Sequence, residues 1–199
     1  MKIVVFGASS CAMPESVYEC AHELGQLIAL DRDELVFGAG DTGVMGACAR
    51  GAHAAQGRVT GVIPEALNLP GVAYPACDEL IVTHDLRDRM EVVERLGDAF
   101  IAMPGGFGTL YELFEVITLN QLHYIRKPVV LLNAGGYYNP LTQMFERTYA
   151  EHAAREGCRA LYEIVDSAEE ALRWIRSWRP ARLERWLTDL PELNKETEA

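Results

Sequence analysis

Lysine is almost missing from this chain: Lys2, Lys127 and Lys195 are all there are. They stand at the start, before a proline and in a polar tail, so none suits a Schiff base and pyridoxal phosphate chemistry is disfavoured. Also missing is any apolar run of the roughly 18 to 20 residues needed to cross a bilayer. Met1-Lys2 leads directly into the strand-like Ile3-Val4-Val5-Phe6 and not into a signal-peptide core. The expectation is a soluble, cytoplasmic protein with no membrane partner. Cys11, Cys20, Cys48, Cys77 and Cys158 are odd in number and contain no C-x-x-C, so neither a disulfide framework nor a metal site is suggested. Excess positive charge is absent too. A formal charge of −11 argues against nucleic acid as a partner, since binding a phosphate backbone needs clustered cations.

What the chain does have is 199 residues, 49% of them apolar, enough for one well-buried core and too few for two ordinary domains. Short β-branched runs alternate with stretches of helical period. Ile3 to Phe6, Glu34 to Phe37, Arg58 to Ile63, Glu79 to Thr83, Asp98 to Met103 and Pro128 to Asn133 read as strands. That alternation predicts an α/β fold: a doubly wound parallel sheet, Rossmann-like and single-domain, with right-handed crossovers and helices on both faces. Asn139-Pro140 predicts a capped helix start, and Ser167 with Glu170 a capping box. Residues 1 to 179 form the predicted domain. Residues 180 to 199 read as a short amphipathic piece, carrying Leu183, Trp186, Leu187 and Leu190, and a polar tail.

In open parallel sheets ligands bind beyond the carboxyl ends of the strands, which directs attention to three turns. They are Gly7-Ala8-Ser9-Ser10, the run from Gly38 to Gly46, and Pro104-Gly105-Gly106-Phe107-Gly108-Thr109. The third is the strongest phosphate candidate: glycines let successive N–H groups converge, and Thr109 opens a helix whose positive end favours an anion. An ordinary tight turn with Thr109 and Glu112 as a capping box is the competing reading. From Gly38 the second turn can be read as G-x-G-x-x-G, a dinucleotide fingerprint. It follows the second strand and not the first, and no acidic residue closes the next strand as that fingerprint requires. Arg87 and Arg89 fall at the same sheet edge as the glycine turn and could clamp a phosphate bidentately; the alternative is a solvated helix face paired with Asp85, Asp88, Glu91 and Glu94.

The run Pro104 to Glu112 reads P-G-G-x-G-T-x-x-E, and on it the chain resembles the LONELY GUY family of cytokinin-activating phosphoribohydrolases, often labelled lysine decarboxylases. The resemblance extends over roughly residues 1 to 175, through Gly7-Ala8-Ser9-Ser10, the Gly38 to Gly46 turn, Gly61 to Leu67, and Gly136-Tyr137-Tyr138. It implies hydrolysis of the N-glycosidic bond of a nucleoside 5′-monophosphate, with no metal or redox cofactor. It also implies Arg89 and Glu112 as the catalytic pair. Gly105, Gly106, Gly108, Thr109, Ser9, Gly40 and Glu115 are then the candidate substrate and phosphate contacts. Two positions depart from the family pattern. Met90 stands where the family has lysine beside its arginine, and Cys11 where glycine is more usual.

Met13, Met90, Phe107 and Tyr111 could line a pocket for adenine or an N6-prenylated adenine, or serve as core. A non-catalytic nucleotide or cofactor carrier on the same fold is the competing function. Leu110, Leu113, Phe114, Ile117 and Leu122 form one apolar stripe after Thr109, and Val116, Leu119 and Tyr124 leave other faces apolar too. Together with the neighbouring segment Met90 to Leu96 this predicts a homodimer, which the resemblance also implies.

Overall fold

The computed structural model describes residues 1–180. Seven parallel strands form one sheet in the order β4-β3-β2-β1-β5-β6-β7. They are β1 (Lys2–Phe6), β2 (Glu34–Phe37), β3 (Val59–Pro64), β4 (Glu79–Thr83), β5 (Ala99–Ala102), β6 (Val129–Leu132) and β7 (Glu163–Val165). The six predicted strands agree with the first six to within a residue or two at each end. β7 was not predicted: three half-buried residues at the sheet edge are too short a run to show a period.

Successive side chains of a strand point to opposite faces, and the core divides accordingly. Ile3 and Val5 of β1 and Leu35 and Phe37 of β2 pack under α1 (Glu15–Leu30), α2 (Gly43–Ala54) and α6 (Ala168–Ser177). Val4, Phe6 and Val36 face α3 (Leu86–Leu96), α4 (Phe107–Gln121) and α5 (Asn139–Ala150). β1, β2, β5 and β6 are apolar nearly throughout because both of their faces are covered.

The Ser167 hydroxyl accepts the Glu170 amide at 3.2 Å as predicted, although the Glu170 carboxylate reaches back to Asp166 and not to Ser167. The expected cap at Asn139 is displaced by one residue: Tyr138 is the N-cap of α5 and Asn139 lies inside the first turn. Thr109 does not open its helix either. α4 starts at Phe107 with Gly106 as its cap, so Thr109 and Glu112 do not form a capping box.

The stripe expected on α4 is divided between core and surface. Leu113 and Val116 are buried, whereas Phe114, Leu122 and Tyr124 are exposed. On α3, Met90 and Val93 are core residues and not surface. No helix among the described residues is long and apolar enough to cross a membrane. Apart from Pro180, the amphipathic piece and tail expected for 180–199 lie outside the described residues.

Candidate functional site

The chain builds outward from β1 through β2 and β3 to β4, then crosses back to lay β5 on the other side of β1. A doubly wound sheet opens a crevice at such a reversal. A cavity of about 440 Å³ occupies it, lined by Gly7 to Ser10 after β1, Gly38 after β2, Pro64 at the end of β3, and Gly106, Gly108 and Thr109 after β5.

The turn after β5 is held from behind. Its Pro104 carbonyl accepts the Ala8 amide at 3.2 Å, tying it to the turn after β1. The first intrahelical bond of α4 runs from the Leu110 amide to the Gly106 carbonyl. The four amides from Gly106 to Thr109 are therefore the orphan donors of a helix start, and no described group accepts them. Gly106 and Gly108 need no left-handed backbone, and a Cβ on either would have nothing within 4 Å. Neither fold packing nor backbone conformation asks for glycine there. The space in front of them and the aligned amides suit an anion.

The turn after β2 is built the other way. Gly43, at φ +63°, lies so close to the first turn that a Cβ would meet the Ala8 and Ser10 carbonyl oxygens at 2.6 Å. The Val44 and Met45 amides both donate to the Ala8 carbonyl, at 2.8 and 3.4 Å. Gly43 permits α2 to pack on the β1 turn, and the helix start spends two of its donors on one carbonyl of that turn. The dinucleotide reading of this turn loses its physical basis here.

At the floor of the cavity stand Arg89 of α3 and Glu112 of α4, both buried. The Arg89 guanidinium donates through Nη1 to Glu112 Oε1 at 2.6 Å and through Nε to the Val62 carbonyl at 3.1 Å. A Cβ on Gly38 would lie 2.6 Å from Nη2, so that glycine makes room for the guanidinium. Burial pushes the Glu112 carboxyl above its ordinary range; the Arg89 cation opposes this, and Glu115 adds to it. The arrangement is a carboxylate held by a cation that donates one hydrogen bond to it and is itself anchored to the backbone of β3.

One wall is apolar, formed by Met45, Pro64, Leu67, Leu86 and Tyr111. The Tyr111 phenol is pushed up to about 12, first by its hydrogen bond to Glu115 and then by burial. Of the residues suggested by sequence for a base pocket, Tyr111 alone lines the cavity. Phe107 is 94% exposed, Met13 packs on the core, and Met90 is 1% exposed beneath α3. The side chain replacing the family lysine is thus core and outside the cavity lining, with its sulfur 3.9 Å from Arg89 Nη1.

The cavity contains six of the nine predicted site residues: Arg89, Glu112, Gly106, Gly108, Thr109 and Ser9. Gly105 lies behind the turn against Thr109, and Gly40 lies behind Met45, bridged to Ala73. Glu115 faces α3, where one of its oxygens is buried without a partner among the described residues. Arg87 is exposed and does not line the cavity. Leu67 and Leu86 had no role in the sequence reading, although Leu67 ends the Gly61 to Leu67 run quoted there. Lys127 donates to the Glu94 carbonyl, and Lys2 pairs with Glu34, both remote from the cavity.

These features define a class: a Rossmann-like α/β protein with an anion-ready helix start and a buried Arg–Glu pair facing one cavity at the topological switch point. Comparison narrows it. The family profile described as "Possible lysine decarboxylase" matches residues 45–175. The chain is 37% identical to the cytokinin riboside 5′-monophosphate phosphoribohydrolase LOG7 of Arabidopsis thaliana over 90% of its own length and 82% of that relative. It is 41% identical to the cytokinin riboside 5′-monophosphate phosphoribohydrolase of Rhodococcoides fascians, covering 80% of this chain and 81% of the relative. Among solved structures, the molybdenum cofactor binding protein of Rippkaea orientalis matches with a TM-score of 0.69 and 30% identity, covering 88% of this chain and 95% of that one. The chain belongs to the LONELY GUY family of phosphoribohydrolases.

Proposed function

We propose that this protein hydrolyses the N-glycosidic bond of a cytokinin-type adenosine 5′-monophosphate, releasing the free base and ribose 5-phosphate. The observation that carries the reading is that the buried Arg89–Glu112 pair opens onto the same cavity as the unsatisfied amides of Gly106 to Thr109. The names of the relatives specify a riboside 5′-monophosphate. A phosphate seated on those amides anchors a non-reacting group, and the binding energy holds the glycosidic bond against Glu112. Glu112, as a carboxylate, stabilises the cationic sugar of an oxocarbenium-like transition state and orients the attacking water, whose proton it can accept. Arg89 fixes that carboxylate and opposes the upward push of burial on it. The Met45, Leu67, Leu86 and Tyr111 wall offers apolar surface to the base.

A binding protein without catalysis is the second reading, favoured by the solved neighbour of the same fold. A binder has no need of a buried ion pair beside its ligand, because desolvating two charges costs several kcal/mol per ion, as an order of magnitude, and their mutual attraction repays it only in good geometry. Incubation with AMP and with isopentenyladenosine monophosphate, followed by chromatography for free base, separates the two. Base release supports the hydrolase; tight binding without release overturns it.

The same reading includes a homodimer. Support comes from α4 and the residues just after it, where Tyr111, Phe114, Leu122 and Tyr124 are exposed, and from the Glu115 oxygen that has no partner among the described residues. Within the neighbouring Met90 to Leu96 segment, Met90 and Val93 are buried and only its other side chains can reach this surface. Light scattering at micromolar concentration tests it, and an active monomer of 22.1 kDa overturns it.

A further inference from the structure

Two tyrosines that do not line the cavity grip the glycine turn from behind. The Tyr137 hydroxyl donates to the Gly105 carbonyl at 2.7 Å, and the Tyr138 hydroxyl donates to the Met103 carbonyl at 2.6 Å. With the Ala8 amide on the Pro104 carbonyl, all three successive carbonyls of the turn are occupied by partners within the protein. In a trans peptide the N–H lies antiparallel to the C=O across the same plane. Holding the Gly105 carbonyl therefore fixes the direction of the Gly106 N–H, toward the cavity that Gly106 lines.

The grip is itself built. Asn133, at the end of β6, accepts the Tyr138 amide at 2.7 Å and donates to Asn139 and Asp166 at 3.0 and 3.2 Å. Gly135 and Gly136 both adopt left-handed backbone, at φ +64° and +74°, which reverses the chain tightly enough to bring the tyrosines under the turn. Tyr138 is 1% exposed and packs edge-on to Tyr137, with ring centroids 5.2 Å apart.

We infer that Tyr137 is a positioning residue for the reaction: its hydroxyl orients the Gly105–Gly106 peptide so that the Gly106 amide meets the substrate's phosphate. This rests on the phosphate seat proposed above. Tyr138 plays a different part. The peptide it holds joins Met103 to Pro104, which has no N–H, so its hydroxyl satisfies a buried carbonyl without aiming a donor.

The test compares Tyr137→Phe and Tyr138→Phe with the wild type, measuring dissociation constants for AMP and adenosine, kcat and KM, and thermal melting. Losing one orienting hydrogen bond corresponds to a change of about five- to tenfold. Tyr137→Phe is expected to weaken AMP by that factor and raise its KM, with adenosine affinity and melting temperature unchanged. Tyr138→Phe is expected to lower the melting temperature with a smaller loss of AMP affinity. If AMP and adenosine weaken equally in Tyr137→Phe, or neither changes, the positioning role is overturned. A wild-type protein that binds adenosine as tightly as AMP overturns the phosphate seat and this inference with it. Discrimination that is present in the wild type and kept in Tyr137→Phe removes the positioning role alone.

Discussion

Two helices of this protein start at glycine-rich turns that look alike in sequence, α2 after β2 and α4 after β5, and they spend their first amides differently. In α2 the Val44 and Met45 amides go to the Ala8 carbonyl, and Gly43 is required for the close approach of two loops. In α4 the donors from Gly106 to Thr109 have no described acceptor, and its glycines at 106 and 108 border open space. Glycine content therefore does not identify a ligand turn. What distinguishes the two is whether the backbone hydrogen bonds close within the protein.

The largest effect that can sharpen this comparison is expected at the base of α4. Glu112→Gln keeps the shape of the site and removes its charge, so kcat with AMP should fall by about a hundredfold or more with binding retained. Turnover within threefold of wild type would leave Glu112 a structural residue.

Arg89→Met comes next. Breaking a buried pair costs about 3 kcal/mol, read as a lower denaturation midpoint. It also removes the cation that opposes the upward push of burial on Glu112. The carboxyl then stays neutral to higher pH, so the acid limb of the rate profile should move to higher pH. A carboxyl raised in the folded state binds more protons than in the unfolded chain, so the variant's stability should fall more steeply than that of the wild type as pH rises. An unchanged acid limb would separate Arg89 from the ionisation of Glu112.

A matched pair of substitutions then addresses the two turns directly. Gly43→Ala places a Cβ 2.6 Å from two carbonyl oxygens at a left-handed residue and should cost about 2 kcal/mol or more, with the ligand affinity of the folded fraction preserved. Gly108→Ala meets nothing in the protein and gains helix propensity of up to about 1 kcal/mol, so its melting temperature should hold or rise. Its KM for AMP should nevertheless increase about tenfold, because the methyl group enters the space proposed for the phosphate. Equal stability losses in both variants would erase the distinction.

The smallest effect lies outside both turns. Burial, Glu115 and Glu91 push Glu94 up to about 7 from 4.5, against the pull of Lys127. With its folded value raised, its contribution to stability is complete below 4.5 and is lost as pH rises to about 7. Glu94→Gln should flatten the melting-temperature profile across that window and leave the protein slightly more stable than wild type at pH 8. A profile of unchanged slope would remove Glu94 from the pH dependence.

The strands were legible because β-branched runs buried on both faces leave a strong local signal, and β7 was not because Glu163–Val165 has neither length nor full burial. The turn after β5 was legible as the strongest of three phosphate candidates, and in the structure its donors without a described acceptor set it apart from the Gly38 to Gly46 turn. The Arg89–Glu112 pair came from resemblance; spacing could not show that residues on α3 and α4 meet at 2.6 Å. Leu67, Leu86 and the grip of Tyr137 on Gly105 were invisible for the same reason, each being a contact between elements far apart in sequence. Met90 shows the converse: a departure from the family motif suggested an altered pocket, and the side chain lies in the core instead.

The pairing of β1 with β5 sets Ile3 beside Ala99, so the sheet is completed across its middle by segments separated by nearly half the chain. Closing so long a loop carries an entropic cost before any contact rewards it. The cavity straddles that seam: Gly7 to Ser10, Gly38 and Arg89 come from one side, and Gly106 to Glu112 from the other. An occupant touching both sides is in effect a removable crosslink between the two halves of the chain. At a hundred times its dissociation constant such a ligand adds about 2.7 kcal/mol to apparent stability. Because the seat does not exist until the seam has closed, that increment acts on the rate at which the halves part, not on the rate at which they find one another.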